Sequence, residues 1–164
     1  VQLARAVGAV EVVAVDSSEE QLPLARHYGA VAVNAARADP VQEIRRLTGG
    51  RGVDVSLELI GRAETMGQAV RCLAPLGRAV IVGITDEPPT LDTYREVLGG
   101  EAEIIGSNDH LMQELPALLE MACKGILDTS RVVTRTLPLD AAAVNTTLDA
   151  LERSGAGVRT VIVP

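Results

Sequence analysis

Short apolar runs alternate with stretches of helical periodicity along almost the whole chain. The run Val10-Glu-Val-Val-Ala-Val-Asp16 does not alternate apolar and polar positions, apart from Glu11 at its entry. A strand covered on both faces reads this way, and such strands belong mostly to parallel sheets with helices above and below. A strand over 10–16 is therefore predicted. Ser17, Ser18, Glu19 and Glu20 follow, a helix start rich in caps and negative charge. The helix spans 19–28, with Pro23 disturbing its first turn and Gly29 ending it. Ahead of the strand, residues 1–7 form a helix tail with Val1, Leu3, Ala4 and Val7 on one side, stopped by Gly8.

The pattern continues with a strand over 30–34. Asp39 and Pro40 then serve as cap and first residue of a helix to Leu47. A glycine-rich turn over 48–52 leads to a third strand, 53–60, closed by Gly61. Residues 62–73 are helical until Pro75 and Gly77 break the pattern. The fourth strand, 78–83, is nearly all apolar and so reads as buried. A loop over 84–89 carries Asp86, Glu87, Pro88 and Pro89, and 90–98 is a short helix. A fifth strand covers 102–106, and a long amphipathic helix covers 109–124, disturbed at Pro116. Residues 132–137 are extended, 140–153 helical, and 158–163 form a last strand. The regular exchange of strand and helix as far as Lys124 predicts an α/β fold, a Rossmann-type doubly wound parallel sheet.

Composition narrows the picture. At 164 residues and 47% hydrophobic, the chain can bury a sizeable core and is globular. A net charge of −7 with no basic run argues against nucleic acid and anionic membranes as partners. No apolar run reaches membrane-spanning length, and no signal peptide is apparent. Cys72 and Cys123 are far apart in helical patterns, as suits reduced thiols in the cytoplasm.

In open α/β sheets, ligands bind beyond the carboxyl ends of the strands. Those ends carry Asp16, Asn34, the segment Leu59, Ile60, Gly61 and Arg62, the segment Val82, Gly83 and Ile84, and Gly106, Ser107 and Asn108. An acid at Asp16 can accept hydrogen bonds from both hydroxyls of a ribose, and it would repel a phosphate on that ribose; it could equally be a helix cap. Glycines recurring at 61, 83 and 106 let a flat ligand lie against bare backbone, or simply end strands. Together with Asp16 they point to a nucleotide shelf. Reactive groups are missing from this list. His27 and His110, the only histidines, read as surface or capping residues, and Lys124 is the only lysine. There is no nucleophile elbow, Walker lysine loop or zinc-ligand spacing. Neither Tyr28 nor Tyr94 is followed by a lysine four residues on.

The sequence resembles the cofactor-binding half of the zinc-containing, medium-chain alcohol dehydrogenases. The resemblance rests on Val1-Gln-Leu-Ala-Arg-Ala-Val-Gly8, Leu47-Thr-Gly-Gly-Arg-Gly-Val-Asp54, Glu58-Leu-Ile-Gly61, Gly77 through Gly83, and Gly157-Val-Arg-Thr-Val-Ile-Val-Pro164. It implies that Asp16 holds the adenosine ribose, favouring NAD over NADP, and that Leu59, Ile60, Gly61 and Arg62 line the adenine side. Val82, Gly83, Ile84, Ile105, Gly106 and Ser107 would border the nicotinamide, and Arg159 would lie near the pyrophosphate. Residues 1–125 would be the NAD-binding domain and 126–164 a segment returning toward a catalytic domain. The family's first strand, its Gly-x-Gly-x-x-Gly turn and its zinc-bearing catalytic domain are expected before Val1. Position 21 is Gln where some relatives carry a basic residue near the ribose.

The resemblance implies part of an NAD-dependent alcohol dehydrogenase, moving hydride between an alcohol and nicotinamide. Zinc is expected in the parent enzyme only, with no ligands in this chain, and the portion alone should be inactive. A polyol or threonine dehydrogenase and a zinc-free quinone reductase belong to the same family. Two rivals come from other classes. A nucleotide-sensing regulatory module needs no catalytic groups, but has no use for the tail beyond Lys124. A methyltransferase fits the glycines at 61 and 83 poorly. A homo-oligomer is expected through the edge strand from Ala102 to Gly106. Without the first strand, the strands at 10–16 and 53–60 should be separated by a gap rather than paired.

Overall fold

The computed structural model describes residues 1–109, 111–154 (backbone alone for 152–154) and 159–164. The chain divides into two compact units, one of Val1 with residues 3–111 and one of Gln2 with residues 112–164.

The first unit is a Rossmann-type α/β arrangement whose ladders are all parallel. It opens with α1 (Gln2–Ala6, its first residue assigned to the other unit), β1 (Val13–Asp16), α2 (Leu22–His27) and β2 (Val31–Asn34). It continues with α3 (Pro40–Leu47), β3 (Val53–Glu58), α4 (Ala63–Arg71), β4 (Leu73–Ile81) and β5 (Glu103–Gly106). β1 pairs with β2 from Val13↔Val31 to Asp16↔Asn34. A second sheet has the order β3-β4-β5. β1 and β3 share no ladder among the described residues, so the expected separation of these two strands holds in the pairing.

The helices start where the sequence supplies a cap or a proline. At α3, Asp39 Oδ1 accepts hydrogen bonds from the N–H of Val41 at 2.8 Å and of Gln42 at 3.1 Å, and Pro40 occupies the first turn. α2 begins only at Leu22, because Pro23 suits a first turn and residues 17–20 form the turn before it.

Helix α4 is anchored twice. One guanidinium, that of Arg45, donates to four backbone carbonyls: Gly50 at 3.2 Å, Arg51 at 2.8 Å, and Arg71 and Leu73 at 2.9 Å each. The side chain of Arg71 in turn reaches Glu96 Oε1 at 2.7 Å and the Thr90 carbonyl at 2.8 Å. These bonds hold the far end of α4 against a π-helical turn, Thr93–Val97. Between them lies the core of Val70, Leu73 and Ala79, packed against Val53, Leu91, Val97 and Ala102.

Several expectations need correction. The first strand begins at Val13 rather than Val10, whose side chain is 96% exposed. Among the described residues its ladder with β2 starts at Val13↔Val31, and upstream of it the Val12 carbonyl still accepts from Val31 N–H at 2.9 Å. β3 ends at Glu58, where the chain turns toward Gly61, not at Ile60. Pro75 and Gly77 do not separate helix from strand: β4 starts at Leu73, and the ladder absorbs them as an irregularity between Val53↔Leu73 and Val55↔Arg78. β4 stops at Ile81, with the carbonyl of Glu58 accepting from the N–H groups of Val82 and Gly83 beyond it. The first strand, read as covered on both faces, is not: Val15 is exposed, as are Val55 and Leu57 in β3 and Ile104 and Ile105 in β5. Apolar composition records a capacity for burial, which these side chains leave unused among the described residues.

In the second unit a 3-10 turn (Met112–Glu114) precedes α5 (Leu115–Cys123). The expected helix from 109 is thus shortened, because Pro116 marks its first turn rather than a disturbance within it. β6 (Arg135–Pro138), α6 (Ala141–Ser154) and β7 (Thr160–Val163) follow. β6 and β7 pair in parallel from Arg135↔Thr160 to Pro138↔Val163. The part of the expected last strand at residue 158 lies outside the described residues.

Two outcomes follow from this packing. Asp39→Ala should lower stability by about 1 kcal/mol in thermal or urea unfolding, the usual effect of losing such a cap. Burial pushes the Cys72 thiol up, whereas Cys123 is exposed. A thiol reagent at neutral pH should therefore label Cys123 readily in the folded protein and Cys72 only after denaturation, read by mass spectrometry of the digested chain.

Candidate functional site

The turn after β3 is built around one carboxylate. Glu58 ends the strand and is 3% exposed. Its Oε1 accepts hydrogen bonds from the N–H of Ile60 at 3.0 Å, the N–H of Gly61 at 2.9 Å and the hydroxyl of Thr65 at 2.7 Å. Successive backbone N–H groups that converge like this form a concavity suited to an anion, and here an internal carboxylate fills it. The Oε2 atom is buried with no hydrogen-bond partner.

Gly61 has φ +83°, a conformation that favours glycine. A Cβ on it would lie 2.4 Å from the carbonyl oxygen of Ile84, and one on Gly83 would lie 2.1 Å from Gly61 N and 2.6 Å from Glu58 Oε2. The two loops thus touch backbone to backbone, and neither position has room for a side chain. Gly106 differs: a Cβ there would meet nothing within 4 Å. The three glycines therefore do separate things. Two let the loops meet each other, and the third leaves open space at a strand end.

These loops border a cavity of about 620 Å³ lined by Val82, Gly83, Ile84, Gly106 and Ser107, with Met66 and Asn108 among the remaining residues. Ser107 is held in line by its N–H donating to the Ile81 carbonyl at 2.9 Å. Ile105 is paired with Val80 across the ladder. Leu59, Ile60 and Ile84 are exposed, giving the carboxyl ends of β3 and β4 an apolar rim. Arg62 caps α4 by backbone position and pairs loosely with Glu64 at 3.6 Å, both side chains being mostly exposed.

Asp16 stands on the other ladder. Its Oδ1 accepts from the N–H of Ser18 at 2.8 Å, a local turn rather than a helix cap, since α2 starts six residues later. Among the described residues no other hydrogen bond reaches this half-buried carboxylate. Next to it, the Asn34 Nδ2 donates to Glu19 Oε1 at 2.5 Å, and Glu19 pairs with Arg37 at 2.9 Å. Asn34 is thus engaged within the protein. No bond joins Asp16 to the 59–62 or 82–84 loops among the described residues.

The remaining candidates fall elsewhere. Arg159 belongs to the second unit, where its carbonyl accepts from Thr134 N at 2.9 Å. His27, in the last turn of α2, meets the Tyr28 ring edge-on at a centroid distance of 5.1 Å. His110 lies outside the described residues. Lys124 pairs with Glu120 at the end of α5. Among the described residues no group of three or more His, Cys, Asp or Glu is arranged to hold a metal.

Thr65 and the buried role of Glu58 were not visible as site features. The signal was an acid closing an apolar strand with glycine three residues on. Asp16 is followed at once by Ser17, Ser18, Glu19 and Glu20, a helix-start pattern that Glu58 lacks.

Residues 1–124 match the family described as zinc-binding dehydrogenase. An L-threonine 3-dehydrogenase from Bacillus velezensis is 30% identical over 145 residues, covering 85% of this chain and 41% of its own length. An NAD-dependent alcohol dehydrogenase from Sulfurisphaera tokodaii is 33% identical over 165 residues, covering 100% of this chain and 46% of its own. Among solved structures, a zinc-binding dehydrogenase from Sinorhizobium meliloti 1021 bound to NADP superposes with a TM-score of 0.86 at 27% identity, over 100% of this chain and 48% of that one. The chain thus spans less than half the length of these relatives. A match over three quarters of the sequence, on a fold with the same parallel ladders, places the chain in the zinc-binding dehydrogenase family.

Proposed function

We propose that this chain is the nicotinamide-cofactor-binding portion of an NAD-dependent alcohol dehydrogenase. The observation that carries the reading is Asp16: a half-buried carboxylate at the carboxyl end of a parallel strand, with one oxygen committed to Ser18 N–H and the other free of any described partner. That oxygen is suited to accept from ribose hydroxyls, and its charge opposes a 2′-phosphate.

The residues present fit such a cofactor. The exposed apolar side chains of Leu59 and Ile60, beside Gly61 and Arg62, offer a face for a flat base. Val82, Gly83, Ile84, Ile105, Gly106 and Ser107 would lie along the nicotinamide, where the open space at Gly106 leaves room for a ring. Arg159 would supply a cation near the pyrophosphate. The bound cofactor supplies hydride-transfer chemistry. The side chains here orient it and shield one face from water.

A catalytic zinc would come from residues outside this chain, and polarising the alcohol oxygen would fall to it. The substrate is a small alcohol or the corresponding carbonyl; a threonine or polyol dehydrogenase differs only in groups this chain does not carry. Cytoplasmic location is part of the same reading, and no helix among the described residues is long and apolar enough to cross a membrane. β5 is proposed as the oligomer contact. It lies at the end of its sheet's order, all four residues are exposed, and an uncovered apolar edge favours pairing across a two-fold axis.

Full-length enzyme assayed with a panel of alcohols should reduce NAD, followed by the absorbance of the reduced nicotinamide. No reduction with any alcohol would overturn the reading. Asp16→Ser should shift the ratio of catalytic efficiencies toward NADP by about tenfold or more, since removing a charge within hydrogen-bonding range of a phosphate is worth about 1–4 kcal/mol. Equal efficiency with NAD and NADP in the wild type would remove the role given to Asp16. Elemental analysis of residues 1–164 expressed alone should find no stoichiometric zinc.

A further inference from the structure

We infer that Glu58 is a positioning residue for the cofactor. Its buried carboxylate turns the backbone donors of the 59–62 loop inward, leaves that loop's apolar side chains facing out, and sets its spacing from the 82–84 loop. This rests on the cofactor reading above and extends it to a residue that does not itself reach the cavity.

The N–H groups of Ile60 and Gly61 would otherwise be free at the start of α4, a position that favours anions. Both are taken up by Oε1, together with the Thr65 hydroxyl. Thr65 Oγ1 also lies 3.0 Å from the Arg62 carbonyl, but it has a single proton, and the bond to a charged oxygen is the stronger. With the donors turned in, the loop presents Leu59 and Ile60, 64% and 65% exposed, as an apolar surface instead of an anion site. The dinucleotide's phosphates are thereby refused here while an apolar base is accepted.

The second loop is tied to the same residue. The carbonyl of Glu58 accepts from Val82 N at 2.9 Å and Gly83 N at 3.1 Å. Oε2 occupies the ground that a side chain at position 83 would need, at 2.6 Å from a Cβ there. One residue therefore sets both the inward turn of the first loop and how closely the second approaches. A fully buried carboxylate with one oxygen unpartnered is costly by itself. Packing alone would be better served by an apolar residue. Three converging donors on the other oxygen account for the acid.

The test uses full-length enzyme and the pair Thr65→Val and Thr65→Ser, with Glu58→Gln beside them, because Glu58→Ala risks losing the fold. Glu58→Gln and Thr65→Val should raise the KM for NAD about tenfold while kcat stays within about threefold, and Thr65→Ser should restore the wild-type KM. In hydrogen exchange without cofactor, the amides of residues 60 and 61 should be protected in the wild type and exchange faster in Glu58→Gln. Unchanged KM in Glu58→Gln and Thr65→Val would overturn the inference even if their melting temperatures fell. So would failure of Thr65→Ser to rescue, or unaltered exchange at 60 and 61. A wild type that binds no NAD at all would overturn the cofactor reading together with this one.

Discussion

The contact between Gly61 and Gly83 is the constraint on which the site depends. A side-chain carbon at either position would collide with backbone of the other loop, at 2.4 Å from Ile84 O in one case and 2.1 Å from Gly61 N in the other. Backbone cannot step aside as a flexible side chain can. The carboxyl ends of β3 and β4 are therefore drawn together over Glu58, whose carbonyl and carboxylate collect donors from both loops. The cavity beside Gly83, Ile84 and Gly106 takes its shape from this approach.

At the opposite end of the same strands, Arg45 does comparable work with the charges reversed. Its guanidinium gathers four carbonyls from the turn before β3 and the connection between α4 and β4. One anion at the carboxyl end and one cation at the amino end fix the connections of a single βαβ unit. Backbone polar groups in tight connections must find partners, and a charged side chain satisfies several at once. The buried cluster of Val70, Leu73 and Ala79 belongs to this same helix and strand. β1 with β2 forms a separate ladder, and its strand faces are half exposed.

This division separates positioning from chemistry. The ordered groups at the strand ends are hydrogen-bond acceptors, bare backbone and apolar side chains, which suit holding a nucleotide. The carboxylates that line the cavity, Asp86 and Glu87, are exposed and belong to the loop after β4 rather than to a strand end.

Period and punctuation were enough to show the class of fold, the order of its elements and the strand ends that line the cavity. Those features arise from local rules. An apolar run without alternation suits a parallel strand, and Asp39-Pro40 starts a helix whatever surrounds it. Asp16 was legible for the same reason, as an acid placed where a strand must stop. Tertiary structure alone decided where the ladders begin and end: the pairing of β1 with β2 starts at Val13↔Val31, and Val10 to Val12 lie outside the strand. It decided that Leu73 to Gly77 could join β4 despite a proline, through an irregularity in pairing. It decided that Gly61 and Gly83 serve each other while Gly106 stays open, and that Glu58 rather than a ligand fills the concavity ahead of α4. Each of these depends on atoms distant in sequence arriving at one place, and no local pattern of residues records that.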